Sequence, residues 1–213
     1  MKRSAAVGSP ASLALPTSAA SSASSIWAWR HPRSHQVESR CIGCTDVPLD
    51  PRRAKRLARR IARSAHEHAL PHVIWTSPLQ RCADVGRWLR SWGWRHHIDT
   101  ALIEMDFGAW DGLPWSEIAR AEVEAWNNDF AHYAPGGGES LTDVLRRVAA
   151  WQPGDGTSGA ANQSGPVLIV AHAGWMRARR WLDQRNAANA EPLTSATLPA
   201  APGYCTLWKL GEP

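Results

Sequence analysis

The 213-residue sequence lacks long apolar runs. No segment approaches the roughly 18–20 consecutive apolar residues that a membrane-spanning helix needs. Residues 1–25 are rich in Ser and Ala, and their apolar stretch at 13–16 is shorter than the roughly 7–15 residues of a secretory signal core. We therefore expect a cytoplasmic protein without a membrane partner. It should have a disordered tail over 1–25 and one domain over 26–213.

Cysteine is also scarce, with four residues in the chain. Cys41 and Cys44 form a CxxC pair, which is typical of zinc or redox sites, but Cys82 and Cys205 are isolated and supply no second pair. The sequence contains no Walker-type Gly-Lys-Ser/Thr segment and no Asp/Glu/His spacing typical of a metal site. We expect free thiols, no metal and no cofactor.

Positive charge is abundant, and the net charge is +5. Such a balance suits an anionic partner. Basic residues are concentrated over 52–63, where Ala54, Leu57, Ala58 and Ile61 recur at helical spacing. Because no aromatic or glycine pattern of a nucleic-acid module accompanies this helix, we interpret its basic face as solvated. We expect a phosphorylated small molecule as partner and no nucleic acid, and the sequence leaves a homo-oligomer open.

Strand-like and helix-like segments alternate along the chain, which is typical of an α/β domain. Pro32 ends the first strand, because proline cannot continue a central ladder. We predict helix N-caps at Ser77, before Pro78, and at Ser140, with an acid three residues on. The predicted strands span 26–29, 72–76, 166–171 and 204–210, further helices span 52–63 and 176–182, and irregular segments span 153–165 and 187–202.

Two histidines follow predicted strands at matching places, His31 and His172. Because ligands bind beyond the carboxyl ends of the strands in open α/β sheets, both imidazoles are expected at one rim. Arg30 precedes the first histidine, and Arg81 lies in the first turn of a predicted helix, where anions bind well. Glu104, in a loop rich in Gly and aromatic residues, is a candidate general acid. Together these side chains indicate phosphoryl transfer through histidine, with arginines stabilising the charge on the equatorial oxygens.

Five segments occur in the order seen in the histidine phosphatase superfamily, which the chain resembles from about residue 26 to 210. They are Arg30-His31, Thr76-Ser77-Pro78-Leu79-Gln80-Arg81, Glu104 before Phe107-Gly108, Gly138-Glu139-Ser140, and Val170-Ala171-His172-Ala173-Gly174. The resemblance implies a three-layer α/β/α sandwich with a mostly parallel central sheet. It also implies that His31 becomes phosphohistidine, that Arg30, Arg81 and His172 bind the phosphoryl group, and that Glu104 donates a proton.

Within that superfamily the chain is similar to α-ribazole phosphatases of cobalamin synthesis. The similar segments are 30–33, 41–49, and 126–129 ahead of 135–140. This similarity implies α-ribazole 5′-phosphate or adenosylcobalamin 5′-phosphate as substrate. The sequence departs from the family at Pro32, where glycine is common, at Arg33 and at Val37. Arg33 either adds a phosphate contact or points to solvent.

Other activities stay open at this point. A phosphoglycerate mutase or a phosphatase of broader specificity would use the same fold, although the short stretch between Gly112 and Gly138 favours a phosphatase over a mutase. A non-catalytic phosphate-binding protein is the alternative from a different class, and the departures at Pro32 and Arg33 motivate it.

Overall fold

The computed structural model describes residues 25–35, 37–153, 165–185 and 193–211. Within these ranges the strands are β1 (Ile26–Arg30), β2 (Val73–Thr76), β3 (Arg95–Ile98), β4 (Val167–Ala171) and β5 (Leu207–Leu210). The helices are α1 (Pro51–Glu67), α2 (Gln80–Ser91), α3 (Arg120–Asn128), α4 (Leu141–Ala150) and α5 (Ala173–Gln184). Short 3-10 helices lie at Thr100–Leu102, Gly108–Trp110, Trp115–Glu117 and Pro135–Gly137.

The strands form one sheet in the order β3-β2-β4-β1-β5. All neighbouring strands are parallel except β5, which pairs with β1 in the antiparallel sense at the edge. Alternate residues of a strand face opposite sides, so Ala28 and Ile169 pack against α4 and α5 while Trp29 and Val170 pack against α1 and α2. The predicted three-layer α/β/α sandwich with a mostly parallel sheet is therefore confirmed.

Helix α1 forms as its sequence pattern predicts. Asp50 caps its N-terminus by accepting a hydrogen bond from the Arg52 N–H at 2.8 Å, and Pro51 occupies the first helical position. The apolar stripe is buried against the sheet and α2, and the arginines between its members are largely exposed. At Ser140 the predicted N-cap is also confirmed, because its hydroxyl accepts from the Asp143 N–H and the Asp143 carboxylate accepts from the Ser140 N–H.

The predicted N-cap at Ser77 was wrong. Helix α2 begins at Gln80, and its N-cap position is held by Leu79. The reason is that the Ser77 N–H still donates to the Val170 carbonyl of the neighbouring strand, so the chain stays extended beyond β2. Helix α5 starts three residues earlier than predicted, directly after His172.

Strand β3 and helix α3 were not predicted. The sequence of β3 is Arg-His-His-Ile, which has no apolar run, and none of its residues is fully buried at this edge of the sheet. Helix α3 likewise has no buried residue. Elements that bury so little carry a weak hydrophobic pattern. The predicted tail and the predicted loop over 153–165 lie almost entirely outside the described residues. Among the helices described, none is long and apolar enough to cross a membrane.

Candidate active site

The register of the two central strands places the two predicted histidines side by side. In the β1–β4 ladder Arg30 pairs with Ala171. The residues that follow them, His31 and His172, therefore lie side by side at the ends of the two strands. The His31 N–H donates to the Ala171 carbonyl at 3.1 Å, and the ring centroids of His31 and His172 are 5.0 Å apart. Both rings are buried. The sheet thus brings together residues that are 141 positions apart in the chain.

The tautomer of His31 follows from one hydrogen bond. Its Nδ1 lies 2.7 Å from the Pro32 carbonyl oxygen, which can only accept, so Nδ1 carries the proton. In the neutral ring the lone pair is then on Nε2. Burial, followed by the nearby Arg81 and Arg30 charges, holds the pKa of His31 well below its usual value, although the Pro32 bond acts in the opposite direction. The ring is therefore neutral and nucleophilic at neutral pH, and Pro32 contributes through its carbonyl where the family commonly has glycine.

Arg81 is the buried cation of the site, only 2% exposed. It lies in α2, the helix that follows β2. In the sheet, β2 and β1 lie on opposite sides of β4. Its Nε donates to His172 Nδ1 at 3.2 Å, its Nη1 to the Thr45 carbonyl at 2.8 Å and its Nη2 to the Gly43 carbonyl at 2.5 Å. A guanidinium has five N–H donors. These three bonds leave two N–H donors without a partner among the described groups.

His172 has both ring nitrogens engaged. Because the Nε of Arg81 can only donate, His172 Nδ1 must accept, and the proton of the neutral ring lies on Nε2. Nε2 lies 3.4 Å from the sulfur of Cys82. Burial, and then the charge of Arg81, holds the pKa of His172 well below its usual value. The two histidines are thus both neutral but carry the proton on different nitrogens.

The other two predicted arginines differ in their surroundings. The Nη1 of Arg30 donates to the Pro202 carbonyl at 2.7 Å, and its guanidinium lies 3.9 Å from the centre of the Tyr204 ring. Its Nε is buried and has no hydrogen-bond partner among the described groups. The side chain of Arg33, by contrast, is 49% exposed and pairs with Glu38 at 2.7 Å. The structure therefore places Arg30 beside Tyr204, whose ring centroid lies 5.7 Å from that of His31, and directs Arg33 to the surface.

Glu104 reaches the same rim through the N-terminus of α5. Its Oε2 accepts from the Gly174 N–H at 3.1 Å, and its Oε1 accepts from the Met105 N–H at 3.1 Å. A Cβ on Gly174 would lie 2.2 Å from Oε1, so this close approach requires glycine. The carboxyl group is thereby held at the N-terminal end of the helix that follows His172.

An ion pair between Arg147 and Glu139 holds the backbone of this segment, and no local feature of the sequence predicts it. Arg147 in α4 donates through Nε and Nη2 to both carboxylate oxygens of Glu139, at 2.9 and 2.8 Å. Its Nη1 donates to the carbonyls of Ala101 and Ile103, and its Nη2 approaches the Glu104 carbonyl at 3.5 Å. Glu139 belongs to a segment that carries the family resemblance, but Arg147 resembles an ordinary surface arginine of a helix.

The CxxC pair is not a disulfide, and the structure leaves its thiols protonated. Burial and the nearby Asp111 raise the pKa of Cys41 to about 12, and burial together with several carboxylates raises that of Cys44 to about 11. Donor atoms of Cys44, Asp106 and Asp111 lie within 4.8 Å of one another. The carboxylate of Asp111 already accepts three backbone hydrogen bonds, so this group does not resemble a prepared metal centre.

A cavity of about 430 Å³ lies beside the Glu104 segment. Its lining includes Cys44, Arg147 and residues of the 100–106 stretch, but neither of the two histidines. We therefore assign it to the scaffold around Glu104.

The sequence profile of the histidine phosphatase superfamily (branch 1) matches residues 26–193, most of the chain. The chain belongs to the histidine phosphatase superfamily. The family predicted from the five ordered segments is thus confirmed.

Several relatives within this superfamily are similar over large parts of the chain. Glucosyl-3-phosphoglycerate phosphatase of Mycolicibacterium vanbaalenii is 38% identical over 117 residues, 51% of this chain and 51% of that protein. A solved mycobacterial glucosyl-3-phosphoglycerate phosphatase superposes with a TM-score of 0.66 and 27% identity, over 87% of this chain and 90% of that one. For α-ribazole phosphatase of Shigella flexneri the TM-score is 0.56 and the identity 25%, over 72% and 76%.

The chain is shorter than the curated relatives it matches. It spans 28% of a bifunctional protein of Mycobacterium tuberculosis, to which it is 38% identical over 104 residues, or 47% of this chain. The similarity to that protein therefore concerns the aligned segment alone.

Proposed function

We propose that this protein is a metal-independent phosphomonoesterase that forms a phosphohistidine at His31. The observation that carries the proposal is the hydrogen bond from His31 Nδ1 to the Pro32 carbonyl, which leaves the Nε2 lone pair free in a neutral ring. The buried guanidinium of Arg81 lies at the same rim, with two N–H donors free for the oxygens of a phosphoryl group.

In the first step the His31 Nε2 lone pair attacks phosphorus. An N–P bond forms while the P–O bond to the substrate alcohol breaks, and protonated Glu104 gives its proton to the leaving oxygen. Arg81 and Arg30 stabilise the negative charge on the three remaining oxygens. Because the site is buried, these charges act in a medium of low dielectric and need little rearrangement.

In the second step water hydrolyses the phosphohistidine. The Glu104 carboxylate takes a proton from the water, whose oxygen attacks phosphorus as the N–P bond breaks. Inorganic phosphate leaves, His31 returns to its neutral form and Glu104 is protonated again. One carboxyl group thus serves both steps, and no metal ion is needed to generate the nucleophile.

Two substrate classes are supported. The segments 30–33 and 41–49 resemble those of α-ribazole phosphatases, which favours α-ribazole 5′-phosphate or adenosylcobalamin 5′-phosphate. The solved glucosyl-3-phosphoglycerate phosphatase aligns over 87% of the chain, against 72% for the solved α-ribazole phosphatase, which favours a phosphorylated sugar acid. Both classes are phosphate monoesters of a bulky alcohol, and the same chemistry at His31 serves either.

A substrate panel in the presence of EDTA tests this proposal. The purified chain should hydrolyse p-nitrophenyl phosphate without added metal, and one of the two substrate classes should have the highest kcat/KM. Quenching in alkali during turnover should trap phosphate on His31, located by mass spectrometry of the digested protein. Activity that disappears in EDTA and returns with Mg²⁺ would contradict the metal-independent mechanism. Transfer of the phosphoryl group between positions of 3-phosphoglycerate would identify a mutase instead.

A further inference from the structure

The orientation of Arg81 depends on a short loop. The two terminal nitrogens of its guanidinium donate to the carbonyls of Thr45 and Gly43, which we call, with the residue between them, the 43–45 loop. These bonds fix the plane of the guanidinium and therefore the direction of its two remaining N–H groups. A small shift of the loop would redirect the donors that a phosphoryl group needs.

The same loop is bonded from its other side by Asp111. Its Oδ1 accepts from the N–H groups of Gly43 and Thr45 at 3.1 and 3.2 Å, and its Oδ2 accepts from the Cys44 N–H at 2.5 Å. Among the described residues no other acceptor bonds these three N–H groups. The three peptide groups therefore present their N–H ends to one carboxylate, while two of the loop's carbonyls face Arg81.

The loop has little room to relax. A Cβ on Gly43 would lie 2.2 Å from the Met105 carbonyl oxygen and 2.8 Å from the Asp111 carboxylate. Backbone hydrogen bonds join the flanking segments, from the Gly112 N–H to the Cys41 carbonyl at 2.7 Å and from the Cys41 N–H to the Leu113 carbonyl at 2.9 Å. These contacts hold Asp111 against the loop.

We propose that Asp111 is a positioning residue for phosphoryl binding, because its carboxylate orders the 43–45 loop and the loop in turn aims Arg81. The proposal rests on the proposed function for its catalytic meaning. It assigns a role to two stretches of the chain, 41–45 and 109–112, that the histidine chemistry alone leaves without one. Replacing the carboxylate by an amide, Asp111→Asn, turns one acceptor into a donor that faces backbone N–H groups, so the loop must move.

Binding of orthovanadate, measured by titration calorimetry, tests the proposal without needing turnover. In Asp111→Asn the affinity should fall by about 10- to 100-fold, the range for a misplaced binding group. The matched control is Asp106→Asn, which removes the same charge from a nearby exposed carboxylate whose one bond among the described residues is from the Gly108 N–H. This variant should stay within about twofold of the parent chain. Equal affinities in the Asp111→Asn variant and the parent chain would overturn the proposal.

A double-mutant cycle separates positioning from general damage. Arg81→Lys removes the planar fork whose two terminal nitrogens the loop holds, so the loop no longer sets the direction of the remaining N–H donors. Adding Asp111→Asn should then lower vanadate affinity by less than about threefold further. If the loss of vanadate affinity in the double variant equals the product of the losses in the two single variants, Asp111 does not act through Arg81. If Asp111→Asn does not fold, Asp111→Glu replaces it in the test. This variant keeps the negative charge but displaces it, so vanadate affinity should still fall. An unchanged affinity in Asp111→Glu would also overturn the proposal.

The outcomes distinguish this proposal from the proposed function. A parent chain that binds vanadate but hydrolyses no ester would contradict the phosphatase, while the comparison of variants would still test Asp111. A parent chain that hydrolyses esters, together with an Asp111→Asn variant of unchanged vanadate affinity, would contradict the positioning role alone.

Discussion

The two halves of the site are positioned by different forces. His31 and His172 lie at the ends of adjacent parallel strands, where the backbone ladder of β1 and β4 sets their separation. Glu104 lies in a stretch of short 3-10 helices and loops, where side chains of Arg147 and Glu139 hold the backbone. We call these the strand-end half and the loop half.

The difference has a physical consequence. A ladder bond uses backbone groups that every residue other than proline carries, so the strand-end half depends little on which neighbouring side chains are present. The loop half depends on a few partly buried charges, and removing one partner leaves the other desolvated and unpaired. Substitutions remote from the substrate should therefore impair the loop half more than the strand-end half.

The largest effect is expected for the nucleophile of the strand-end half. His31→Ala should lower kcat/KM for p-nitrophenyl phosphate by at least about 1,000-fold, because both ring nitrogens of the neighbouring His172 already have partners and it cannot take the place of His31. Steady-state kinetics measure this, with the exposed His35→Ala as control. Activity that survives in the first variant would exclude the covalent mechanism.

The acid of the loop half should be next. Glu104→Gln should lower kcat/KM by about 100- to 1,000-fold for an alkyl phosphate, whose leaving oxygen needs a proton, and by less for p-nitrophenyl phosphate. Kinetics with both esters give the ratio, and the exposed Glu124→Gln is the control. An equal loss with both esters would mean that Glu104 does not act as the proton donor.

Removing the ion pair behind Glu104 tests the comparison directly. Arg147→Met should lower kcat/KM about tenfold and the free energy of unfolding by about 2 kcal/mol, since Glu139 loses its partner. Its neighbour Arg146 pairs with Asp143 on the exposed side of α4, and Arg146→Met should cost less than about 1 kcal/mol. Urea unfolding measures both, and equal costs would show that the loop half does not depend on the partly buried Arg147–Glu139 pair.

The pH dependence follows from the depressed pKa of His31. An ordinary histidine with pKa about 6.5 would be roughly tenfold less nucleophilic at pH 5.5 than at neutral pH. Because the folded ring stays neutral below that value, kcat/KM should fall less than about threefold between pH 7 and 5.5.

The free energy of unfolding also depends on the depressed histidine pKa values. The unfolded chain binds protons at His31, His172 and His96 below pH 6.5 before the folded chain does, so the free energy of unfolding should decrease as the pH falls from there.

The smallest effect is expected at Arg33. Its half-exposed pair with Glu38 is screened by solvent, so Arg33→Gln should change the free energy of unfolding by less than about 1 kcal/mol and vanadate affinity by at most threefold. Calorimetry checks the affinity. A tenfold loss would show that Arg33 leaves Glu38 to contact the phosphoryl group, the alternative that the sequence left open.

Much of the strand-end half could be predicted because its signals are local. Apolar runs identified β1 and β4, and the residue after each run was a histidine. Strand β3 escaped prediction, since its pairing with β2 is supported by contacts such as the bond between His96 and Thr76 rather than by an apolar run. The start of α2 was misplaced for a similar reason, because a bond to β4 kept Ser77 extended.

The sequence by itself determined the alternation of strands and helices, the order of the family segments, and so the rim at which the histidines meet. Only the tertiary structure decided which arginines act inside. Arg81 is buried and Arg147 partly buried, whereas Arg33 and Arg146 are exposed, yet nothing local distinguishes Arg146 from Arg147. The reason is that burial of a charge depends on acceptors contributed by distant segments, here the 43–45 loop and the carbonyls of residues 101–104.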